Sequence, residues 1–523
     1  INPYIRGLGG RRVLMLLDGS IILTTRNMGV VGYFLDMNDV DHIEVVRGPA
    51  SVLFGSGALG GAINIVSQSP STFKTGFSGI AAAYFGLNNN EAMGYLRNTY
   101  KTGRSFISLG VRYRRADDYT AGDGVAVPSS MFEDGNLYLK AGTRLGPHRF
   151  TVDLRSYLGR DIGKAEDAED RDKLRRIHFP EDNTQRAALT YGYKGSGTVK
   201  QAGAAVYYSQ TSRIQSSDIY TGGYDHILNY TKKYGDVWTA GGNGNMHLRL
   251  AAHTRLTMGL DLSSMHFDSD RETFLEDWSN PGVYNSLGRS AEFKEARQLH
   301  GGLFAQLQHS LGSVSITLAL RGDLQHTSGY HPLDMDTSSG EWVDKETTNA
   351  APSGNLGLVW RALPYLAVKA NIASAYRAPD LRELYICGIT SYGYTCGNLD
   401  LKPERSYNID GGLLLRKKGF HAELSGFAYH VRDYIGFGPV TTEDDAPDAC
   451  SLIYRNTQRA LLTGVEFSLR KTFPVAGKSL KLAPFIKGSY IHAKDLDSGD
   501  PMPQIPPLSL TGGLRIFGKK YPG

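Results

Sequence analysis

The chain has 523 residues, 3 Cys and a formal charge of +5. That excess is too small for this length to argue for nucleic-acid binding, and no basic stripe or aromatic-basic motif accompanies it. Mean hydropathy is −0.30, and no run approaches the roughly 20 apolar residues of a membrane helix, which excludes a helical membrane protein. A transmembrane barrel stays open, because alternating strands hide their hydrophobicity from an average. Length alone would favour roughly three or four soluble domains, yet no Pro/Ser-rich linker or composition break follows the first seventy-odd residues.

Two stretches open the chain. IRGLGGRRVLMLLDG (Ile5 to Gly19) joins an Arg-Gly corner, clustered glycines, an apolar run that reads as buried and an Asp-Gly turn. HIEVVRGPASVLFGSGALGGAINI, from His42, repeats the grammar. A β-type segment (Ile43, Val45) meets Arg47-Gly48-Pro49, then Gly55, Gly57, Gly60 and Gly61, then a second β-type segment from Ala62 to Val66. One Gly tract marks only a loop in which side chains would not fit. Two Arg-Gly corners in one small unit, ahead of a long β-rich chain, resemble the plug domain of TonB-dependent outer-membrane receptors. The resemblance implies an α/β plug domain over residues 1–72, seated in the lumen of a transmembrane antiparallel β-barrel over residues 73–523.

The rest of the chain supports a barrel on its own. Phe150, Val152 and Leu154 alternate with Arg149, Thr151, Asp153 and Arg155. Leu256, Met258, Leu260 and Leu262 alternate with Arg255, Thr257, Gly259 and Asp261, and Val314, Ile316, Leu318 and Leu320 with Ser315, Thr317, Ala319 and Arg321. Period-2 alternation gives each strand one apolar and one polar face, although a soluble sandwich would do the same. Strands of about ten residues or more, joined alternately by short turns and long loops, favour an outer-membrane barrel. The short turns are Lys101-Thr-Gly-Arg, Leu145-Gly-Pro-His, Lys194-Gly-Ser-Gly, Leu311-Gly-Ser, Lys417-Lys-Gly and Val475-Ala-Gly-Lys; the long loops fall at 115–135, 159–183, 212–233, 267–295, 326–349, 377–404 and 434–456. About 18 strands are expected, against about 22 in the family resembled. On that comparison the sequence is a partial one, lacking C-terminal strands and the N-terminal part of the plug. Asn371 to Tyr385 (NIASAYRAPDLRELY) and Asn398 to Gly412 (NLDLKPERSYNIDGG) resemble two barrel boxes of the same family.

In that family two plug arginines pair with two acids of the wall. The matching positions are Arg6, Arg47, Asp410 and Glu466, and strand phase sends both acids to the lumen, opposite Ile409, Gly411, Val465 and Phe467. Arg suits such a site because its planar fork binds a carboxylate bidentately and keeps its charge. The plug apex is expected within Ser20 to Asp36, where Arg26, Met28 and Tyr33 would face an incoming ligand. Tyr392 and Tyr394, in the loop between the two boxes, join them as ligand-binding candidates; Arg and Tyr suit an anionic, aromatic iron chelate. Heme is disfavoured, since neither Ser20–Asp36 nor Ala378–Asn398 contains the His that would ligate its iron. Cobalamin is a further option. The acidic run Glu166, Asp167, Glu169, Asp170 and Asp172 would suit calcium, although Lys173, Arg175 and Arg176 would neutralise it.

Cys387, Cys396 and Cys450 fall in external loops, where an oxidising exterior favours a disulfide. Cys387–Cys396 is the simplest pairing, with Cys450 open to either. No GxSxG, HExxH, CxxC or Walker-type loop is present, so the chain reads as a non-enzyme. The resulting expectation is a monomeric outer-membrane importer in contact with lipid and driven by a TonB-type inner-membrane complex. Its ligand would be scarce and large, best matched by a ferric siderophore. A passive porin or an adhesin is the rival class, and a plug argues against open diffusion.

Overall fold

The computed structural model describes residues 3–22, 35–48, 51–69, 73–122, 124–165, 175–221, 226–277, 279–280, 282–332, 342–390, 393–441, 450–475, 480–502 and 504–518. The first unit comprises β1 (Tyr4–Ile5), β2 (Leu8–Gly9), β3 (Val13–Leu17), β4 (Ser20–Ile21), β5 (Val40–Arg47), the one-turn helix α1 (Ser51–Phe54) and β6 (Gly61–Ser67). A wall of strands follows: β7 (Gly76–Gly86), β8 (Glu91–Lys101), β9 (Ser105–Ala116), β10 (Phe132–Leu145), β11 (His148–Gly163) and β12 (Arg175–Lys194). It continues through β13 (Val199–Thr221), β14 (His226–Ala251), β15 (Thr254–Glu276), β16 (Tyr284–Leu311), β17 (Val314–Pro332), β18 (Trp342–Leu363) and β19 (Leu366–Arg377). Helix α2 (Leu381–Tyr385) and a small hairpin, β20 (Cys387–Thr390) with β21 (Gly393–Cys396), interrupt it. The wall resumes with β22 (Glu404–Lys417), β23 (Phe420–Pro439), β24 (Leu452–Lys471), the short β25 (Phe473–Val475), β26 (Leu480–Asp495) and β27 (Ser509–Gly518).

Leaving out β20, β21 and β25, eighteen strands form the wall, the number expected from the sequence. They make one barrel sheet in chain order, each antiparallel to its neighbour. The sheet closes on itself, with β27 beside β7. Two-residue turns close the short ends at Gly146-Pro147, Gly312-Ser313 and Lys418-Gly419. Lys418 and Gly419 have φ of 42° and 77°, the handedness that matches strand twist in a tight hairpin. The Val475-Ala-Gly-Lys turn lies outside the described residues.

Burial decides between barrel and sandwich. On β17, Leu318 and Leu320 are 46% and 61% exposed, whereas Ala319, Arg321 and Asp323 between and beyond them are buried. On β11, Val152 and Leu154 are exposed while Thr151, Asp153 and Arg155 are buried. Apolar side chains point outward and polar ones inward, the reverse of a water-soluble sandwich and the pattern of a wall facing lipid.

The loops are more regular than the sequence indicated. Most of 212–233 belongs to β13 and β14, which stay paired to Thr221↔His226, and β15 and β16 stay paired to Glu276↔Tyr284. At 28 residues β16 is far longer than the roughly 10 a tilted crossing needs. Beyond the lipid both faces meet water, so backbone pairing continues after the apolar alternation that reveals it has stopped.

The first unit folds as a four-stranded sheet of order β4-β3-β6-β5, with β3 and β6 parallel. Leu14 and Leu16 pack on Ala58 and Ala62, while Met15 and Leu17 pack on Ile22, Leu35 and Ile65. Burial on both faces explains the unbroken apolar run. Asp18-Gly19, with φ of 50° and 78°, makes the predicted β3–β4 turn. The Asp18 carboxylate accepts hydrogen bonds from Ser67 N–H and Oγ–H, tying that turn to the end of β6. His42 lies on the exposed β5, between Asp41 and Glu44.

The disulfide differs from the simplest sequence pairing. Cys396 is bonded to Cys450, with Cα atoms 6.0 Å apart. The Cα atoms of Cys387 and Cys396 do face each other across the β20–β21 hairpin. However, β21 also lies parallel to β24, with Thr395 and Cys396 opposite Leu452 and Ile453, which brings Cys396 to Cys450. The bridge spans 54 positions rather than nine, and on a chain-entropy estimate it is worth about 4 kcal/mol.

Candidate functional site: the seam between plug and barrel

The β1–β2 hairpin turns on Arg6-Gly7, with φ of 53° and 82°. This left-handed corner carries the Arg6 guanidinium into a pocket of the wall. Its Nε and Nη2 donate to Glu466 Oε2 at 3.2 and 3.0 Å, and Nη1 reaches both Asp410 and the Tyr429 hydroxyl. The guanidinium also lies 4.4 Å from the centre of the Phe427 ring. Burial works against its charge, but Tyr429 and Glu466 outweigh that, and the Arg6 pKa is raised. Asp410, one methylene shorter than Glu466, reaches the same guanidinium.

Of the four residues matched from the sequence, Arg6, Asp410 and Glu466 meet as one cluster. Arg47 stands apart: its side chain is 59% exposed, and its ion pair among the described residues is with Glu466, through Nη1 at 3.4 Å. One arginine takes both acids, in place of the expected two pairs.

A second, deeper cluster lies next to it. The Gly10–Arg12 3-10 turn presents two arginines. Arg12 Nε donates to Glu404 Oε2 at 3.0 Å and Nη2 to the Ile435 carbonyl at 2.8 Å, with its guanidinium 3.7 Å from the centre of the Tyr434 ring. Glu404 is fully buried and also accepts from Arg377 Nε at 2.9 Å and from Ile435 N–H at 2.7 Å. Arg377 Nη1 continues to Glu383 Oε2 at 2.8 Å, and Arg11 reaches Asp380. For Arg12 burial lowers the pKa, but Glu404 outweighs it and the net shift is upward; for Arg11 burial prevails and the pKa falls to about 10.

These contacts explain the barrel boxes. Arg377 ends β19, and Asp380 caps α2 by accepting from Arg382 N–H and Glu383 N–H, while Glu383 accepts from Asp380 N–H. The cap swings α2 into the lumen, where Leu381, Leu384 and Tyr385 pack on Val237, Phe267 and Phe293. Arg11, Arg12 and Glu404 were within the stretches noted from the sequence. Their partnership spans some 390 positions, a separation at which local pattern carries no signal.

The opposite wall has the opposite polarity. Asp39 faces Arg155 Nη1 at 2.7 Å, and Asp18 lies 3.7 Å from Lys140 Nζ. Lys140 also donates to the Gln68 carbonyl, and Asp36 lies 3.9 Å from Arg112. Burial raises the pKa of Asp39, against the pull of Arg155 and Lys140.

Gly48 and Gly61 let the plug pack this closely. Gly48 (φ 85°) has the Tyr429 hydroxyl 3.0 Å from where a Cβ would stand, and at Gly61 (φ 143°) a Cβ would collide with the Val46 carbonyl. Ala378 N–H donates to Ser56 Oγ at 3.0 Å beside them. The ligand candidates Arg26, Met28, Tyr33 and Tyr392, and the acidic run 166–172, lie outside the described residues; Tyr394 belongs to β21, opposite Ile389.

A lipid-facing β-barrel whose lumen is filled by a separate, ion-paired domain defines a plugged outer-membrane channel. Residues 1–62 match the TonB-dependent Receptor Plug Domain and residues 132–521 the TonB dependent receptor-like beta-barrel. The chain belongs to the TonB-dependent receptor family and lies in the outer membrane. It is 25% identical to the Ferric enterobactin receptor of Pseudomonas aeruginosa, over 98% of this chain and 72% of that one. It is 23% identical to the Heme/hemopexin utilization protein C of Haemophilus influenzae, over 96% and 75%. Among solved structures, Copper transporter OprC superposes with a TM-score of 0.79 at 19% identity, over 98% of this chain and 76% of that one.

Proposed function

We propose that this receptor imports a ferric siderophore, and that an inner-membrane TonB-type complex drives the import by pulling on the plug. The observation that carries the reading is the filled lumen. A plug tied to two walls through buried ion pairs obstructs passive diffusion, so passage calls for energy. The likeness to a ferric enterobactin receptor supports the choice of cargo. A likeness to a heme utilization protein points the other way, but neither Ser20–Asp36 nor Ala378–Asn398 offers a histidine. In this reading the chain is a monomeric carrier and not a catalyst; iron is cargo and no resident cofactor is invoked.

Growth of an iron-starved host on defined iron sources tests it. Cells with the gene should grow on ferric enterobactin and take up its labelled iron, and an uncoupler should stop uptake. Uptake that continued after the uncoupler would identify a diffusion pore, and growth on heme alone would reassign the cargo.

A further inference from the structure

Short turns mark the periplasmic end of an outer-membrane barrel, so Lys418-Gly419 sets the inner end of β22 and β23. Arg432 stands twelve residues along β23 from Phe420. That is about 40 Å of strand and, at a tilt of about 40°, about 30 Å of height. Arg432 therefore lies where the headgroups of the outer leaflet begin. Arg405 of β22 is directly opposite it across the ladder. Arg405 has the phase of Tyr407 and Ile409, 46% and 61% exposed, so the pair is on the outward face of the wall. Among the described residues neither arginine has an acidic partner, and Arg432 rests 5.5 Å from the centre of the Tyr407 ring. Arg459, next along on β24, is already taken by Asp497, with Nη2 2.6 Å from Oδ1. Like charges directly opposite on neighbouring strands repel, and an anion between them removes the repulsion.

Below this pair the wall is hollowed. Leu318, Leu356, Ile372, Ile409 and Ala428 form one row across β17, β18, β19, β22 and β23. A groove of about 550 Å³ lies along this row, where Gly354, Ser374 and Ala428 leave room that larger side chains would fill. Its upper end is at Tyr407 and His430, which oppose each other one step below Arg405 and Arg432. The outward charge changes sign elsewhere: Asp236 of β14 and Asp268 of β15 face each other, beside the buried Val237 and Phe267.

We propose that this face binds a phosphorylated acyl lipid of the outer leaflet, with the phosphate between Arg405 and Arg432 and one chain in the groove below. The planar fork of each arginine matches phosphate oxygens bidentately. Lipid tails gain little from apolar contact as such, so packing into the hollow is what selects one chain over its neighbours. The site is on the outer face and depends on neither the lumen nor the cargo.

Purified receptor in a zwitterionic detergent, titrated with diphosphoryl lipid A and followed by native mass spectrometry, tests this. Arg405→Gln/Arg432→Gln should bind the lipid about tenfold more weakly than wild type. Arg115→Gln/Arg160→Gln removes the same charge from an outward row that already contains Glu133, and should bind like wild type. Ala428→Leu, which fills the groove and keeps both arginines, should weaken binding about threefold. Fully dephosphorylated lipid A should bind wild type about tenfold more weakly, and millimolar inorganic phosphate should not displace the phosphorylated form. All variants should keep the wild-type β-sheet signal. Equal losses in the two double variants would mean unspecific charge attraction, and wild-type binding by Ala428→Leu would remove the groove; either result overturns the proposal. Displacement by inorganic phosphate would also overturn it, in favour of a free anion at the arginines.

Discussion

Glu404→Gln should release the plug more readily than any other single change at the seam. Glu404 is fully buried and is shared by Arg12 and Arg377, so the variant leaves two cations facing a neutral amide. Removing one partner of a buried pair costs about 3–5 kcal/mol, because the remaining charge stays desolvated. The plug transition should fall by that amount in calorimetry, and the protein should pass spontaneous current in planar bilayers. The variant carrying both Glu404→Gln and Arg12→Gln should recover part of the loss, since one stranded cation is gone, and the cycle measures their coupling. A variant that melts and conducts like wild type would remove this cluster from any role in holding the plug.

Arg6→Ala should rank second. It leaves Asp410 and Glu466 facing one another with only the exposed Arg47 nearby, and it strips the Phe427 ring of its cation. Both acids are partly open to water, at 19% and 18% exposed, so water softens the penalty to about 2–3 kcal/mol. Arg47→Ala should change stability by less than about 1 kcal/mol and leave conductance at the wild-type level. That ordering sets Arg6 above Arg47, and equal effects of Arg6→Ala and Arg47→Ala would restore the two-pair arrangement. Arg6→Lys should recover only part of the loss, because an ammonium cannot span Glu466 and Asp410 as the planar fork does.

The architecture was legible because its signals are local. Alternation along β11, β15 and β17 depends on neighbours two apart, and the tight turns at Gly146-Pro147 and Lys418-Gly419 on residues side by side. The site was half legible. Phase alone sends Asp410 and Glu466 inward, and the Arg-Gly corner marks Arg6. Which arginine reaches which acid depends on how the plug is seated, and sequence does not record that. The same limit hid the Arg12–Glu404–Arg377 cluster and the Asp39–Arg155 pair. The choice between Cys387 and Cys450 as the partner of Cys396 stayed open for a related reason: proximity along the chain favours Cys387, but the parallel contact of β21 with β24 overrides it.

The long ribbons above the lipid bear on how the cell surface presents this protein. Residues such as Asp218 and Tyr230, or Arg271 and Ser290, are held opposite one another in paired ladders broken by local bulges. An antibody or a colicin meeting these flanks would find stiff, twisted hairpins whose backbone groups are already engaged. Epitope tags spliced into the paired segments would break a ladder and be rejected during assembly, so insertions for topology mapping belong between the ladders and not within them.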